Sequence, residues 1–253
     1  MYCTVALIED LHKNARFMEM IDHINSFPAL PKEAIHIWGV HVPEVQDRAA
    51  ELELVLSAHE REKAARFRRA ADRVSSISAR GALRMLLSGY TGIPVEAIDF
   101  SYTENGKPYI RNSDIAFNVS HSSEWALIAI GRGRKIGVDT EKIKRTMKVA
   151  PIVERYFSLE EQSAMLAAND PCALFFELWA RKEAYVKACG SRLFSELKRM
   201  SVPIEDVAEK GGWFFHRLEV DSQYAAAVVS DQPIEQLPCY NFGASFRSGL
   251  FTE

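Results

Sequence analysis

The sequence predicts an α+β protein built from two similar α/β halves, at about residues 35–133 and 134–253. The first observation is a repeated order of elements, because each half reads as a strand, then helices, then further strands. The second is a composition of 47% hydrophobic and 26% charged residues in a chain of 253, which is typical of a globular protein with a sizeable core. A ligand would then bind in the crevice between the halves.

Residues 1–34 form an extension that precedes the first half. Its apolar residues recur at helical spacing, which predicts a short amphipathic helix, and they are Phe17, Met20, Ile21 and Ile24. Pro28 and Pro31 then end the pattern. The segment is either a docked helix or the product of a misassigned start site, and the sequence does not distinguish the two.

The first half begins with a predicted strand, Ala34–His41, followed by a helix through about Leu56. Ser57 and Glu60 have the spacing of a capping box that opens a basic helix, and another helix is predicted over about 72–88, ending at Gly89. The basic side chains of these two helices are Arg61, Lys63, Arg66, Arg68, Arg69, Arg73, Arg80 and Arg84. Basic helices are usually solvated faces, but a cluster that faced an acidic metal site would suit a polyanionic ligand.

Short strands complete the first half. One is predicted at about 98–102, and Asn105-Gly106 then predicts a type I′ turn before Lys107 and Pro108. Two further strands, at 116–119 and 125–130, are joined by Ser120-His121-Ser122-Ser123. A histidine between serines in a tight connection can donate hydrogen bonds to an anion, although a lone loop histidine usually has no special role.

The second half contains the residues most suggestive of chemistry. Asp139 and Glu141 alternate along a predicted strand, 136–141, and therefore share one face. Glu183 and Lys187 lie one turn apart on a predicted helix. If the helix packs against the strand, three carboxylates meet beside a lysine, which would make a site for a hard cation bound to phosphate oxygens.

A simpler interpretation competes with this one. Glu183 and Lys187 also have the spacing of a common surface salt bridge, and acids at the end of a strand often only solvate a sheet edge. The apolar surroundings favour the metal site, because a helix that is apolar over a wide arc should be buried, and buried acids need a cation. The apolar neighbours of the helical pair are Phe175, Phe176, Leu178, Trp179, Tyr185 and Val186.

The remaining elements of the second half are predicted from their boundaries. Ser158 and Glu161 have capping-box spacing, and Asp170-Pro171 should begin the long helix that Gly190 ends. A hairpin is predicted from 213–220 and 224–229.

Composition excludes several classes of partner and compartment. The net charge of −3 argues against a nucleic-acid partner. Four widely spaced cysteines without a CxxC pair suggest reduced thiols. No run approaches the ~18 apolar residues of a membrane span, and the N-terminus lacks the pattern of a signal peptide. We therefore expect a cytoplasmic protein without a membrane partner.

Five motifs in order resemble those of the 4′-phosphopantetheinyl transferases of the surfactin-synthetase-activating (Sfp-like) type. They are Asn105-Gly106-Lys107-Pro108, Phe117-Asn118-Val119-Ser120-His121-Ser122, Ile136-Gly137-Val138-Asp139-Thr140-Glu141, Phe157-Ser158-Leu159-Glu160-Glu161, and the run from Trp179 to Lys187. The resemblance covers about residues 35–205, and the G-x-D-x-E and W-x-x-K-E-x-x-x-K motifs in sequence are its most specific part.

This resemblance implies a fold, a reaction and partners. The fold would be two similar α/β subdomains packed as a pseudo-dimer, with coenzyme A in the cleft and Mg²⁺ on its pyrophosphate. The enzyme would move the 4′-phosphopantetheine arm to a serine of an acyl or peptidyl carrier protein and release adenosine 3′,5′-bisphosphate. Two internally similar halves also imply a monomer.

The resemblance also assigns roles to residues. Asp139, Glu141 and Glu183 would hold Mg²⁺, Glu183 would also be the general base, and Lys187 would stabilise the leaving group and contact coenzyme A. The other implied coenzyme A contacts are Ser120, His121, Lys63, Gly106, Lys107 and Pro108.

This chain departs from the family pattern at three places. Glu60 stands where the family often has a basic residue; Arg73, Arg80 or Arg84 would have to compensate, and we take Arg80 as a candidate coenzyme A contact. Ser123 replaces a usual glycine, and Gly190-Ser191-Arg192-Leu193 replaces a Gly/Lys-rich stretch. These differences bear on coenzyme affinity and carrier choice more than on reaction type.

Two other functions compete with transfer. Acids beside a lysine also equip metal-dependent phosphodiesterases and nucleases, although the net charge disfavours a nuclease. A non-catalytic module that binds coenzyme A or a carrier protein is the third hypothesis, but such a module would not need Asp139, Glu183 and Lys187 together.

Overall fold

A computed structural model describes residues 27–191 and 200–245 of the chain. The helix predicted over 17–24 lies outside these residues. The described helices are α1 (Val42–Val45), α2 (Ala49–Leu54), α3 (Ala58–Ala65), α4 (Ala70–Thr91), α5 (Ala150–Tyr156), α6 (Leu159–Ala167), α7 (Pro171–Cys189) and α8 (Phe242–Ser245), with 3-10 turns at Gln46–Arg48 and Val95–Ala97. The strands are β1 (Ile35–His41), β2 (Ser101–Tyr102), β3 (Pro108–Tyr109), β4 (Ile115–Ser122), β5 (Trp125–Arg132), β6 (Ile136–Lys142), β7 (Val207–Lys210), β8 (Trp213–Leu218), β9 (Tyr224–Ser230) and β10 (Cys239–Asn241).

The named strands include two four-stranded sheets, the first built mainly from the first half and the second from the second half. The first has the order β10–β1–β5–β4, the second has the order β6–β9–β8–β7, and β2 pairs with β3 in a separate hairpin. All pairs are antiparallel except β10 with β1. Among the described helices, none is long and apolar enough to cross a membrane.

Three hydrophobic clusters hold these elements together. α4 packs on one face of the first sheet, and α7 packs on one face of the second. The third cluster lies between the two sheets and joins apolar side chains of β1 and β5 to those of β6 and β9. The predicted fold class is therefore confirmed, because two α/β units, each a sheet with a long helix, pack through a shared core.

Strand β10 comes from the end of the second half but completes the first sheet. It runs parallel to β1, with Ile37 opposite Cys239 and Gly39 opposite Asn241. The division of the chain at residue 133 stays a proposal, with the addition that β10 belongs to the sheet of the first half.

The predicted caps of three helices are present. Ser57 and Glu60 cap α3 reciprocally, and Ser158 and Glu161 do the same for α6. Asp170 accepts a hydrogen bond from the Ala173 N–H at the start of α7, and Gly190 ends the helix in the left-handed conformation.

The structure corrects several local predictions: Ser120, His121 and Ser122 belong to β4 and not to the connection after it, and two further corrections involve glycine. The helix predicted over about 72–88 does not stop at Gly89 but continues to Thr91, and Gly92 ends it. Gly89 is tolerated inside α4 because the Phe27 ring packs where a Cβ would lie. The Asn105-Gly106 turn is not type I′, since Gly106 has φ +82° but Asn105 is not in the left-handed region, and the turn bond runs from the Gly106 N–H to the Thr103 carbonyl.

The tight connection between β4 and β5 contains an unfavourable backbone angle. Ser123 has φ +54°, a conformation that glycine adopts at much lower cost than serine. The family pattern's glycine at this place therefore has a physical reason.

Replacing Ser123 with glycine should raise the free energy of unfolding by about 0.5–1 kcal/mol, because the strain at Cβ is removed. Urea denaturation without added ligand measures the change. Asn112 at φ +55° supplies the matched control, because asparagine tolerates the left-handed region and Asn112→Gly should gain less. An equal gain at both positions would contradict this explanation.

Candidate active site

The close contact of α7 with β6 builds the site. Gly137 makes the contact possible, because a Cβ at this position would lie 1.8 Å from the Ala184 carbonyl oxygen and 2.5 Å from the Ala188 nitrogen. Asp139 and Glu141 on β6 and Glu183 on α7 each offer a carboxylate oxygen, and these three atoms lie within 4.8 Å of one another. The convergence predicted from strand and helix periodicity is present in the structure.

Asp139 is the most buried of the three acids, with 2% of its surface exposed. Its Oδ1 accepts hydrogen bonds from Lys187 Nζ at 2.5 Å and from Ser120 Oγ at 2.7 Å. Its Oδ2 is buried and accepts no hydrogen bond from the part of the chain that the structure describes. An unpaired buried carboxylate oxygen is costly, so this atom is well suited to bind a cation.

The pKa shifts of the three acids also favour a bound cation. Burial raises the pKa of Asp139, and the Lys187 ammonium partly opposes this increase. Burial, followed by the charge of Asp139, also raises the pKa of Glu141. Burial and the charge of Asp139 raise the pKa of Glu183 to about 7. Because three neighbouring carboxylates repel one another, a divalent cation among them would relieve both the repulsion and the cost of burial.

Among the described residues, Lys187 of α7 forms its ion pair with a residue of β6 and not with Glu183 of its own helix. Its Nζ donates to Asp139 Oδ1, to Ser120 Oγ at 2.9 Å and to the Val138 carbonyl at 3.3 Å. The structure thus places the lysine in the acidic cluster, and its ion pair is with Asp139. The surface salt bridge with Glu183 that the spacing also allowed is not among the ion pairs of the described residues.

Ser120 and His121 are neighbours on β4 and lie on opposite sides of the strand. Ser120 contacts Asp139 and Lys187, whereas His121 is exposed and lines a cavity of about 640 Å³. The first turns of α4 form the opposite wall with Ala70, Ala71, Asp72, Val74, Ser75 and Ser76. A ligand in this cavity would be near His121 and three serines, Ser75, Ser76 and Ser123.

Lys107 lies in the loop between β2 and β3 and contacts the end of α7. Its Nζ donates to the Ile136 carbonyl at 2.7 Å and to the Lys187 carbonyl at 2.6 Å, and Asn105 Nδ2 donates to the Gly190 carbonyl at 2.7 Å. Burial lowers the pKa of Lys107 to about 8. Gly106 supplies the turn, and Pro108 begins β3, so this segment links the two halves beside the site.

The basic residues proposed for coenzyme A lie apart from the cavity lining. Lys63 is exposed on α3, and Arg80 pairs with Glu60 at 3.2 Å and lies over the Phe100 ring. Arg84 also pairs with Glu60, at 2.6 Å. The acid that departs from the family pattern is therefore neutralised by two arginines of α4.

Lys182 anchors the helix that carries Glu183. It is fully buried and pairs with the equally buried Glu161 at 2.9 Å, and it donates to the Met200 carbonyl at 2.8 Å. Sequence reasoning did not find this role. Nor did it find Asn118 and Ser122, although both are polar residues at alternate positions of β4, and that pattern was the available signal.

Comparisons with known proteins agree with these features. A family model described as 4′-phosphopantetheinyl transferase superfamily matches residues 135–233, and one described as 4′-phosphopantetheinyl transferase, N-terminal, matches residues 43–133. The chain is 30% identical over 210 residues to 4′-phosphopantetheinyl transferase HetI of Nostoc sp., which covers 79% of this chain and 89% of that protein. It is 30% identical over 209 residues to 4′-phosphopantetheinyl transferase Sfp of Bacillus subtilis, covering 81% and 84%, and 27% identical over 226 residues to psf-1 of Bacillus pumilus, covering 81% and 96%.

Proposed function

The chain belongs to the 4′-phosphopantetheinyl transferase family, and we propose that it uses Mg²⁺ to transfer the 4′-phosphopantetheine arm of coenzyme A to a serine of an acyl or peptidyl carrier protein. The second product would be adenosine 3′,5′-bisphosphate. The observation that carries the metal-dependent reaction is the cluster of Asp139, Glu141 and Glu183 around an unpaired buried oxygen, Asp139 Oδ2.

Three carboxylates would hold the metal ion. Asp139, Glu141 and Glu183 supply oxygen ligands, which Mg²⁺ prefers, and substrate phosphate can supply others. When bound, Mg²⁺ supplies charge that polarises the attacked phosphorus and stabilises the leaving phosphate.

Glu183 and Lys187 would handle the protons. Glu183 is our candidate base for the carrier serine, because its carboxylate lies in the acidic cluster where the metal ion and the phosphates would bind. Lys187 holds an ammonium at 2.5 Å from Asp139, beside the place where the phosphates would bind. That charge would stabilise the leaving phosphate or donate a proton to it.

The coenzyme A contacts stay predictions with unequal support. His121 has the most, because it faces the cavity opposite the start of α4. Ser120 and Lys187 contact each other within the acidic cluster, and Lys107 with Gly106 and Pro108 borders the end of α7. Lys63 and Arg80 require a ligand that extends beyond the cavity lining, and Arg80 would have to share its charge with Glu60.

A single assay tests the function. The purified protein is incubated with an apo carrier protein, coenzyme A and Mg²⁺, and we expect the carrier to gain the mass of one phosphopantetheine arm. Cleavage of coenzyme A or nucleotides without carrier modification would favour a phosphodiesterase. Binding of coenzyme A or carrier without turnover would favour a binding module. We also propose that the protein is cytoplasmic and monomeric. Gel filtration tests the oligomeric state.

Metal binding should depend on pH because a proton must leave Glu183. In the metal-free protein the pKa of Glu183 is raised from 4.5 to about 7, so ionisation of this group makes folding less favourable as pH rises across that interval. A cation reverses the effect, and the affinity for Mg²⁺ should fall about tenfold per pH unit below 7 and level off above it. The increase in Tm caused by Mg²⁺, without coenzyme A, should therefore be larger at pH 8 than at pH 6.

Glu183→Gln is the control for this pH dependence. The variant should bind Mg²⁺ more weakly, and its affinity for Mg²⁺ should no longer change near pH 7, because the titrating group has been removed. An increase in Tm that is the same at pH 6 and pH 8 in the unmodified protein would contradict the role of Glu183 as a metal ligand.

A further inference from the structure

Strands β4 and β6 lie at the edges of the two sheets, and hydrogen bonds between side chains of β4 and the backbone of β6 join them. Asn118 Oδ1 on β4 accepts a hydrogen bond from the Val138 N–H of β6 at 2.9 Å. Ser120 Oγ accepts from the Thr140 N–H at 3.4 Å, and Ser122 Oγ accepts from the Lys142 N–H at 3.0 Å. We call these three side chains, Asn118, Ser120 and Ser122, the polar ladder.

Two members of the polar ladder also hold the acids of β6. Ser120 Oγ donates to Asp139 Oδ1 at 2.7 Å, and Ser122 Oγ donates to Glu141 Oε2 at 3.2 Å. A hydroxyl has one donor and two acceptor positions, so each serine can accept from the β6 backbone and donate to a carboxylate at the same time. Each acid is thereby tied to the N–H of the residue that follows it.

The spacing of the polar ladder matches the spacing of the acids. Alternate residues of a strand lie on one face, so Asn118, Ser120 and Ser122 can meet alternate N–H groups of β6, here those of Val138, Thr140 and Lys142. A shift by one residue would turn Asp139 and Glu141 to the other face of β6. Asn118 bonds to the backbone of β6, and no hydrogen bond within the described ranges joins it to an acid, so its contribution is to the register.

We infer that the polar ladder is a positioning device that aligns Asp139 and Glu141 before a cation binds, so that Asn118 and Ser122 set the affinity for the metal. The inference rests on the proposed function, because it assumes that these acids bind a metal. Ser122 and Asn118 are positioning residues and act through Glu141 and the β6 backbone. Ser120 is unsuitable for the test, since it also contacts Lys187 and is a predicted contact of coenzyme A.

The test measures metal binding directly. Mn²⁺ is titrated into the full chain without coenzyme A or carrier, and the free ion is quantified by electron paramagnetic resonance. Ser122→Ala should raise the Kd for Mn²⁺ about tenfold, as is usual when a partner of a metal ligand is lost. Ser122→Thr keeps the hydroxyl and should restore a Kd within about threefold of the unmodified protein.

A matched control separates positioning from general stability. Ser113 Oγ also accepts a backbone N–H, from Ile115 at 3.1 Å, but it lies before β4 and away from the acids. Ser113→Ala should leave the Kd unchanged. For Ser122→Ala at saturating Mg²⁺, we expect the KM for coenzyme A to stay the same while the Mg²⁺ concentration for half-maximal activity rises.

Asn118→Ala tests the register separately, and its Kd for Mn²⁺ should also rise, although the side chain bonds only to the backbone of β6. If this variant does not fold, the comparison of Ser122→Ala with Ser122→Thr still tests whether the polar ladder sets the affinity for the metal. An unchanged Kd in Ser122→Ala, or a failure of threonine to restore it, would overturn the inference while leaving the metal site intact. If the unmodified protein bound no Mn²⁺, the metal site of the proposed function would fail, and this inference with it.

Discussion

Replacing Asp139 with asparagine should lower kcat/KM for transfer by about a thousandfold or more, which corresponds to about 4 kcal/mol of lost transition-state stabilisation. The substitution keeps the shape of the side chain but removes the charge, and an amide group can occupy the position of the buried Oδ2. The amide would repel a cation where the carboxylate would bind it. Lys187 would also lose the charge of its partner.

The fold should survive this substitution. Burial already raises the pKa of Asp139, so removing a buried charge should not lower the Tm greatly, and 29% of the Lys187 side chain is exposed and can be solvated. Mass spectrometry of the carrier measures transfer, and circular dichroism measures the fold. Asp114→Asn, at an exposed ion pair with Arg132, is the matched control and should retain activity. Full activity in Asp139→Asn would refute the metal assignment.

Replacing Gly137 with alanine should abolish most of the activity and lower the free energy of unfolding by about 3 kcal/mol or more. The new Cβ would overlap the Ala184 carbonyl at 1.8 Å, and because that atom belongs to the helix backbone, α7 must move away from β6. Ala184 follows Glu183, so the movement would separate Glu183 from Asp139. A displacement of about 1 Å can cost a hundredfold in rate.

Gly131 provides the comparison for this variant. A Cβ at Gly131 would meet the Ile136 Cδ1 at 2.7 Å, and the end of a flexible side chain can move. Gly131→Ala should therefore lose less stability in urea denaturation and keep more transfer activity than Gly137→Ala. Equal losses in the two variants would show that the contact of α7 with β6 is not the sensitive one.

The two halves of the acidic cluster could be predicted separately from local rules, whereas the packing of α7 on β6 that joins them could only be assumed. Asp139 and Glu141 share a face because a strand repeats every two residues, and Glu183 and Lys187 are neighbours because a helix repeats every 3.6 residues. Caps at Ser57, Ser158 and Asp170 likewise depend on residues three positions away.

The partners across the two halves could not be predicted in this way. Periodicity tells which face a side chain lies on, but it does not tell which distant group lies opposite. The hydrogen bonds from Lys107 Nζ to the carbonyls of Ile136 and Lys187 are one example, and the role in coenzyme A binding that the resemblance implies for Lys107 stays a prediction. The neutralisation of Glu60 by Arg80 and Arg84 similarly depends on the packing of α3 against α4.

Strand β10 has a consequence for how the protein is made. Cys239–Asn241 is synthesised after every other described strand, yet it pairs with β1, one of the first. Until it leaves the ribosome, one edge of β1 presents unpaired N–H and C=O groups that can pair with another chain. Pairing between residues so far apart in sequence is also slow. The nascent chain, before β10 has emerged, is thus exposed to pairing with other chains at this edge, a risk that the completed sheet does not carry there.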